Sequence, residues 1–350
     1  MPDTLWFTRC PVPTATGIAA DRGTLAAEFA PDGIAVRSLQ DLPAELAGDH
    51  HYTHALPGLF REGGNVPALW ARSRGERTRL IGLTWIEERQ VVLVRAGSGL
   101  RGPGALRGLR LAIPRHEIAI DFWRAMALAG FTGALSPAGL TLADARPTEV
   151  PAPPGAAQWS AELAALRDGR VDAVYAKGAL AVEAAAAYGA EVAVELDRVA
   201  DRRTRVNNGT PRPVTVHQDL LDESPELVVR FLARLVEAAD WAAANPAEVS
   251  RILATETGAG PTGVAGAYAA GGHRTLHLDL SPDRLDLLAQ QERLLRAHGF
   301  LAAPVAVADW ADPEPLRAAR ALADRAVVDP APADRAVVDP APADRADGPA

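Results

Sequence analysis

The sequence has one cysteine, one lysine and no long apolar run, and each shortage removes a class of protein. With Cys10 alone, no intramolecular disulfide can form. No apolar stretch reaches about 18 residues, the length a membrane-spanning helix needs. The first residues, MPDTLWFTRCPVP, lack a basic segment followed by an apolar one, so they do not read as a secretory signal. Arg9 stands before Cys10 where a lipoprotein anchor would need a small residue. The expectation is a cytoplasmic chain with no membrane contact. Of 36 basic residues only Lys177 is lysine, so arginine must do any anion binding. The net charge is -8 and is spread along the chain, which argues against a nucleic-acid partner, since phosphate contact needs a basic surface.

What is present is a chain of 350 residues, 48% hydrophobic, long enough for two packed cores. Short strands are expected over 4–7, 34–38, 79–84 and 90–95, with helices over 17–30 and 66–73 and a polar loop over 48–67. A second unit follows, with strands over 110–113, 140–142, 171–175 and 191–196 between helices over 121–129, 156–167 and 179–188. Such alternation implies a mainly parallel sheet covered on both faces. A strand over 213–217 crosses back to the first unit, and helices over 225–243, 246–255, 262–269 and 282–298 complete it. The expected fold is a two-lobed α/β architecture, each lobe a mixed, mainly parallel sheet flanked by helices, with a cleft between the lobes. Lobe I takes residues 1–95 and 213–326, and lobe II takes 96–212. Residues 323–332 and 333–342 are the same ten residues, ADRAVVDPAP. A segment of that period cannot bury a hydrophobic face, so 327–350 is expected to be a disordered tail.

Two features can carry chemistry. Cys10 is either a small buried hydrophobe or a reactive thiol. Its place after a strand and before a helix start favours thiolate through the helix dipole. The loop from His51 to Gly64 holds His51, His54, Arg61 and the pair Gly63-Gly64, and can present several donors to one anion; as a plain polar surface loop it would do nothing. Zinc binding by His50, His51 and His54 is the weaker reading, because no further ligand stands at a known zinc spacing.

Cys10-Pro11-Val12-Pro13 together with residues 51–67 resembles the hydroxybiphenyl-sulfinate desulfinase family, which shares its fold with periplasmic binding proteins (type II) for alkanesulfonates, taurine and nitrate. The resemblance continues through RTRLIGLT (77–84), GRVDAVY (169–175) and PVAVADWADPEPL (304–316), and covers most of residues 4–318. It implies a hydrolase that splits an aromatic sulfinate into arene and sulfite, without metal or organic cofactor. The sequence gives no basis for oligomeric state, though a single pair of domains suits a monomer. In that reading Cys10 either protonates the ring carbon or attacks sulfur. His51 hydrogen-bonds Cys10, Arg61 grips the sulfinate oxygens, and the Gly64 N–H adds a donor beside Gly63. His54 replaces a family tyrosine, and Trp123 matches a pocket tryptophan or is helix-face packing. The segment 149–158, EVPAPPGAAQ, is shorter than its counterpart, which implies a sulfinate of different size. The alternative is a solute-binding protein delivering sulfonate-like or nitrate-like anions to a transporter. A cytoplasmic ligand sensor or pyrimidine-precursor protein of the same fold is a third reading, but the latter lacks its His-rich, cysteine-bearing iron motif here.

Overall fold

The computed structural model describes residues 2–269 and 271–328. The first lobe is built on a five-stranded sheet of order β2-β1-β3-β10-β4. Its strands are β1 (Thr4–Phe7), β2 (Ala35–Ser38), β3 (Leu59–Glu62), β4 (Thr78–Thr84) and β10 (Arg212–His217). β1 runs parallel to β2 and β3, and β10 enters antiparallel between β3 and β4. Helices α1 (Ala15–Asp21), α2 (Thr24–Phe29) and the long helix Pro225–Ala244 cover one face. Their apolar sides close a core around Leu5, Phe29, Phe60 and Phe231, in which Phe60 and Phe231 stack at 3.8 Å. Instead of one helix over 17–30 there are two, because Gly23 at φ +72° breaks the chain between them.

The second lobe holds β5 (Gln90–Arg95), β6 (Arg110–Arg115), β7 (Arg146–Pro151), β8 (Val174–Lys177) and β9 (Ala190–Glu195). β5 lies between β8 and β9, antiparallel to both, and β6 pairs parallel with β7. A single bridge, Leu111 to Ala173, joins the two sets of strands. The sheets are mixed, as expected, because β5 and β10 are the strands that follow the two crossings between lobes and return in the opposite sense. Two expectations change here. β5, assigned to lobe I from the sequence, pairs with the second sheet. The strand expected over 140–142 is a turn, and β7 begins at Arg146 instead. β7 is an edge strand that carries Pro147 and Pro151, and proline is tolerated in strands at edges.

The expected loop over 48–67 contains α3 (Ala44–Thr53), all of β3 and the start of α4 (Asn65–Ser73). β3 escapes a pattern reading because two of its four residues, Arg61 and Glu62, are charged, yet both are 0% exposed. The final helix runs from Glu314 to Val328, so it includes the first two residues of the expected disordered tail; the remainder of that tail lies outside the described residues. Among the described residues no helix is long and apolar enough to cross a membrane.

α5 (Phe122–Leu135) packs through Gly130 on the Tyr175 ring and through Gly133 on the Thr204 carbonyl. A methyl group at 133 would collide with that backbone oxygen, which cannot swing aside as a side-chain tip could. Gly133→Ala should destabilise the fold by about 1–3 kcal/mol despite the better helix propensity of alanine. Urea unfolding of the two proteins checks this, and an equal or higher midpoint for the variant would show that the helix has room to shift.

Candidate active site

Two segments cross between the lobes, residues 85–89 and 206–211, and between them and the β1 and β3 ends lies a cavity of about 370 Å³. That is within the range of small-molecule sites, about 300–1,000 Å³. Cys10, His51 and Gly64 line it from the first lobe, Trp123, Met126 and Trp159 from the second. The two indoles meet edge to face at 5.4 Å. Trp123 is therefore part of the cavity wall as well as of helix packing. Trp159 joins it because its backbone turns left-handed, φ +60°, just before the helix Ser160–Arg167.

β3 sets the first-lobe side of the site, since neighbouring strand residues point to opposite faces. The Glu62 carboxylate accepts from Thr16 N at 2.9 Å, Thr16 Oγ1 at 2.7 Å and Thr84 Oγ1 at 3.0 Å. Thr14 caps α1 by accepting from Gly17 N. The start of α1 is thus taken by Thr14 and Glu62, not by Cys10, which lies further back in the turn. The Cys10 thiol, 8% exposed, instead donates to the Glu62 carbonyl at 3.5 Å. The expected hydrogen bond from His51 to Cys10 is absent among the described residues.

Arg61 points the other way and is fully buried. Its Nε donates to the His51 carbonyl at 3.1 Å, its Nη1 to the Gly64 carbonyl at 3.0 Å, and its Nη2 faces His51 Nε2 at 3.3 Å. A guanidinium can only donate, so His51 Nε2 accepts and the ring proton resides on Nδ1. Gly63 is required because a Cβ there would overlap the guanidinium, and Gly64 because a Cβ would overlap the Asn208 amide. Arg61 does not line the cavity: its guanidinium holds His51 and the Gly63-Gly64 turn from behind. Among the described residues the Gly64 N–H has no acceptor in the protein, which leaves it available to a ligand.

Burial pushes the Arg61 guanidinium down to about 10, opposed by the nearby Cys10 and reinforced by Arg212. Burial, then the charges of Arg61 and Arg212, hold the His51 imidazole well below its ordinary value. His54 ends α3 in a left-handed conformation, φ 59°, with neither ring nitrogen hydrogen-bonded among the described residues. It is buried and does not line the cavity, contrary to its expected substrate contact. Among the described residues no group of three or more His, Cys, Asp or Glu side chains, His50, His51 and His54 included, is placed to share a metal ion.

Sequence reasoning missed the hinge side of the cavity, where Glu88, Lys177, Asn208 and Arg212 line the wall. Lys177 Nζ meets Glu88 Oε1 at 2.5 Å, both buried. Asn208 ties the second crossing to α4 by accepting from Val66 N through Oδ1 and from Asn65 N through its carbonyl. Asn207 reaches into the second lobe, donating to Gln90 Oε1 at 2.6 Å and Tyr175 OH at 2.9 Å. The doubled asparagine before Gly209 was the one signal in the sequence that this segment is a built turn.

Two α/β lobes on mixed sheets, joined by two crossings with a cavity between, define a two-lobed fold of the periplasmic-binding-protein type. The chain is a homologue of 2'-hydroxybiphenyl-2-sulfinate desulfinase: it is 29% identical over 352 residues to that protein from Rhodococcus erythropolis, covering 89% of this chain and 92% of the other. The same figures hold for the Rhodococcus qingshengii desulfinase. Among solved structures it is similar to the desulfurization enzyme DSZB, as a cysteine-to-serine mutant in complex with biphenyl-2-sulfinic acid, with TM-score 0.73 and 26% identity over 91% of this chain and 99% of that one. The aliphatic sulphonate binding protein SsuA from Escherichia coli, TM-score 0.68 at 15% identity over 89% and 92% of the two chains, shares the fold. No protein-family model matches the chain.

Two outcomes test this geometry. Arg61→Lys keeps a charge but cannot reach the His51 carbonyl, the His51 ring and the Gly64 carbonyl together, so it should cost about 1–3 kcal/mol in denaturant unfolding. An unchanged midpoint would mean that these contacts do not hold the site. His51 and His54, with depressed folded values, stay neutral in the native protein while the unfolded chain binds protons near its ordinary value of about 6.5. Their contribution is present above that value and is lost as pH falls from there toward the folded values. The melting temperature should therefore drop between about pH 7 and about pH 5. His54→Asn, which tolerates the left-handed backbone, should flatten the drop. Parallel curves for wild type and variant would contradict this account.

Proposed function

We propose that this protein cleaves the carbon–sulfur bond of an aromatic sulfinate, with Cys10 as the reacting thiol. The observation that carries the reading is the position of the chain's one thiol in the wall of an interlobe cavity that also holds a neutral imidazole, a free backbone N–H and two indoles. The tryptophans offer an aromatic ring its flat and edge contacts. The Gly64 N–H and His51 Nδ1–H can donate to the sulfinate oxygens, with the charge of Arg61 directly behind them.

The Cys10 thiol is placed to donate to the Glu62 carbonyl, and because a ring carbanion is a poor leaving group, proton transfer to the ring carbon is favoured over attack on sulfur. The thiol protonates the ring carbon as the carbon–sulfur bond breaks, its electron pair going to the new C–H bond and sulfur dioxide leaving. Water converts sulfur dioxide to hydrogensulfite and a proton, and the proton returns to the Cys10 thiolate. The sum is sulfinate plus water to arene plus hydrogensulfite, and atoms and charge balance without a cofactor. Burial of the site strengthens every charge interaction in it.

Cys10→Ser is nearly isosteric but a far weaker acid, so sulfite release from benzenesulfinate should fall by on the order of 10²–10⁴-fold with the melting temperature retained. A serine variant with wild-type turnover would remove Cys10 from the chemistry. The alternative, a carrier of sulfonate-like anions, shares the fold and the cavity. It is favoured if arylsulfonates bind tightly and no sulfinate yields sulfite.

A further inference from the structure

The hinge side of the cavity carries a charge that the reaction above does not use. Arg212, the first residue of β10, is 4% exposed and lines the cavity. Its Nε and Nη1 are buried with no hydrogen-bond partner among the described residues. Arg205, also buried, finds a carboxylate and an aromatic face in Glu87 and Trp85, and Arg61 finds carbonyl acceptors. Arg212 has none of these among the described residues.

Its surroundings sharpen the imbalance. Lys177, Glu88 and Arg212 converge on Gly209: a Cβ there would lie 3.0 Å from Lys177 Nζ, 3.2 Å from Glu88 Oε1 and 3.7 Å from Arg212 Nη2. Glu88 Oε1 is engaged by Lys177. Two cations thus share one carboxylate, and one positive charge is left facing the cavity. Arg61 behind His51 is a separate unpaired cation, close to Cys10. The field of Arg61 answers the sulfinate at the Cys10 end, so the Arg212 charge calls for a second anion. One uncompensated charge matches a monoanion, and the guanidinium fork matches the two coplanar oxygens of a carboxylate.

We propose that Arg212, backed by Lys177, is a second anion-binding position in the cavity, and that the aryl sulfinate taken there carries a ring carboxylate. This rests on the desulfinase reading for the sulfinate group but not for the carboxylate position. A buried cation of this kind rejects a purely apolar biaryl, because such a ligand would cover the guanidinium without pairing it.

The test compares benzenesulfinate with its 2-, 3- and 4-carboxy derivatives in sulfite release, and benzenesulfonate with the three sulfobenzoates in calorimetric binding. At least one carboxylated isomer should be preferred by about tenfold or more, the effect of one charge-assisted bond. Arg212→Met should bring that ratio toward one, and Arg212→Lys should restore part of it. Equal binding of benzenesulfonate and every sulfobenzoate to the wild-type protein overturns the proposal, whether or not either variant folds. If Arg212→Met weakens benzenesulfonate and sulfobenzoate alike, Arg212 holds the sulfur oxyanion itself, and the proposal is again overturned. If no sulfinate yields sulfite while sulfobenzoate still binds better through Arg212, the desulfinase reading fails and the second anion position stands.

Discussion

A guanidinium buried without a carboxylate must have its N–H groups answered by the backbone or by neutral acceptors, and the first lobe is arranged around that demand at Arg61. The three acceptors are the His51 carbonyl, the His51 ring and the Gly64 carbonyl. Each fixes a different element: the last turn of α3, the tautomer of the imidazole, and the turn into α4. The arginine also dictates what cannot stand beside it, since Gly63 has no side chain to give up the space. With β1 on one side of β3 and β10 on the other, Arg61 has little freedom to move, and neither do the groups it holds.

Glu62, the next residue, does the same work on the opposite face. Its carboxylate ties α1 and β4 together through Thr16 and Thr84, and its carbonyl receives both the Thr8 hydroxyl and the Cys10 thiol. Two successive charged residues of one short strand therefore position two side chains of the cavity wall separately, the His51 imidazole through Arg61 and the Cys10 thiol through Glu62. The cost is a central strand half made of buried charge. It is offset by hydrogen bonds that leave few polar atoms without partners there.

This arrangement explains what could be read from sequence and what could not. β1, β2 and β4 are apolar or alternating and were legible as strands. The Cys-Pro-Val-Pro turn and the His–Arg–Gly-Gly spacing were legible as a resemblance, because those residues are close in the chain. β3 was hidden, since Arg-Glu reads as surface and only the tertiary partners at Thr16, Thr84 and His51 make it an interior pair. Arg212 was hidden for a similar reason. It stands between two prolines, one arginine among many, and nothing local says that its side chain is buried. Arg61 and His54 were read as residues of an exposed loop, whereas α3 and β3 turn both inward. The lobe assignment of β5 failed because a crossing strand is identical in pattern to one that stays.

The hinge gives the fold its remaining constraint. In a two-lobed binder the crossing segments allow closure, but here the second crossing is anchored to both sides: Asn208 to α4 in the first lobe, Asn207 to Gln90 and Tyr175 in the second. Burial raises the Tyr175 phenol well above its ordinary value, so it remains a neutral member of that network. These bonds seat the two ends of the crossing on their own lobes, and the chain then continues into Arg212, whose side chain lies in the cavity wall. A ligand has to bring the complement of that charge or leave the guanidinium desolvated and unpaired.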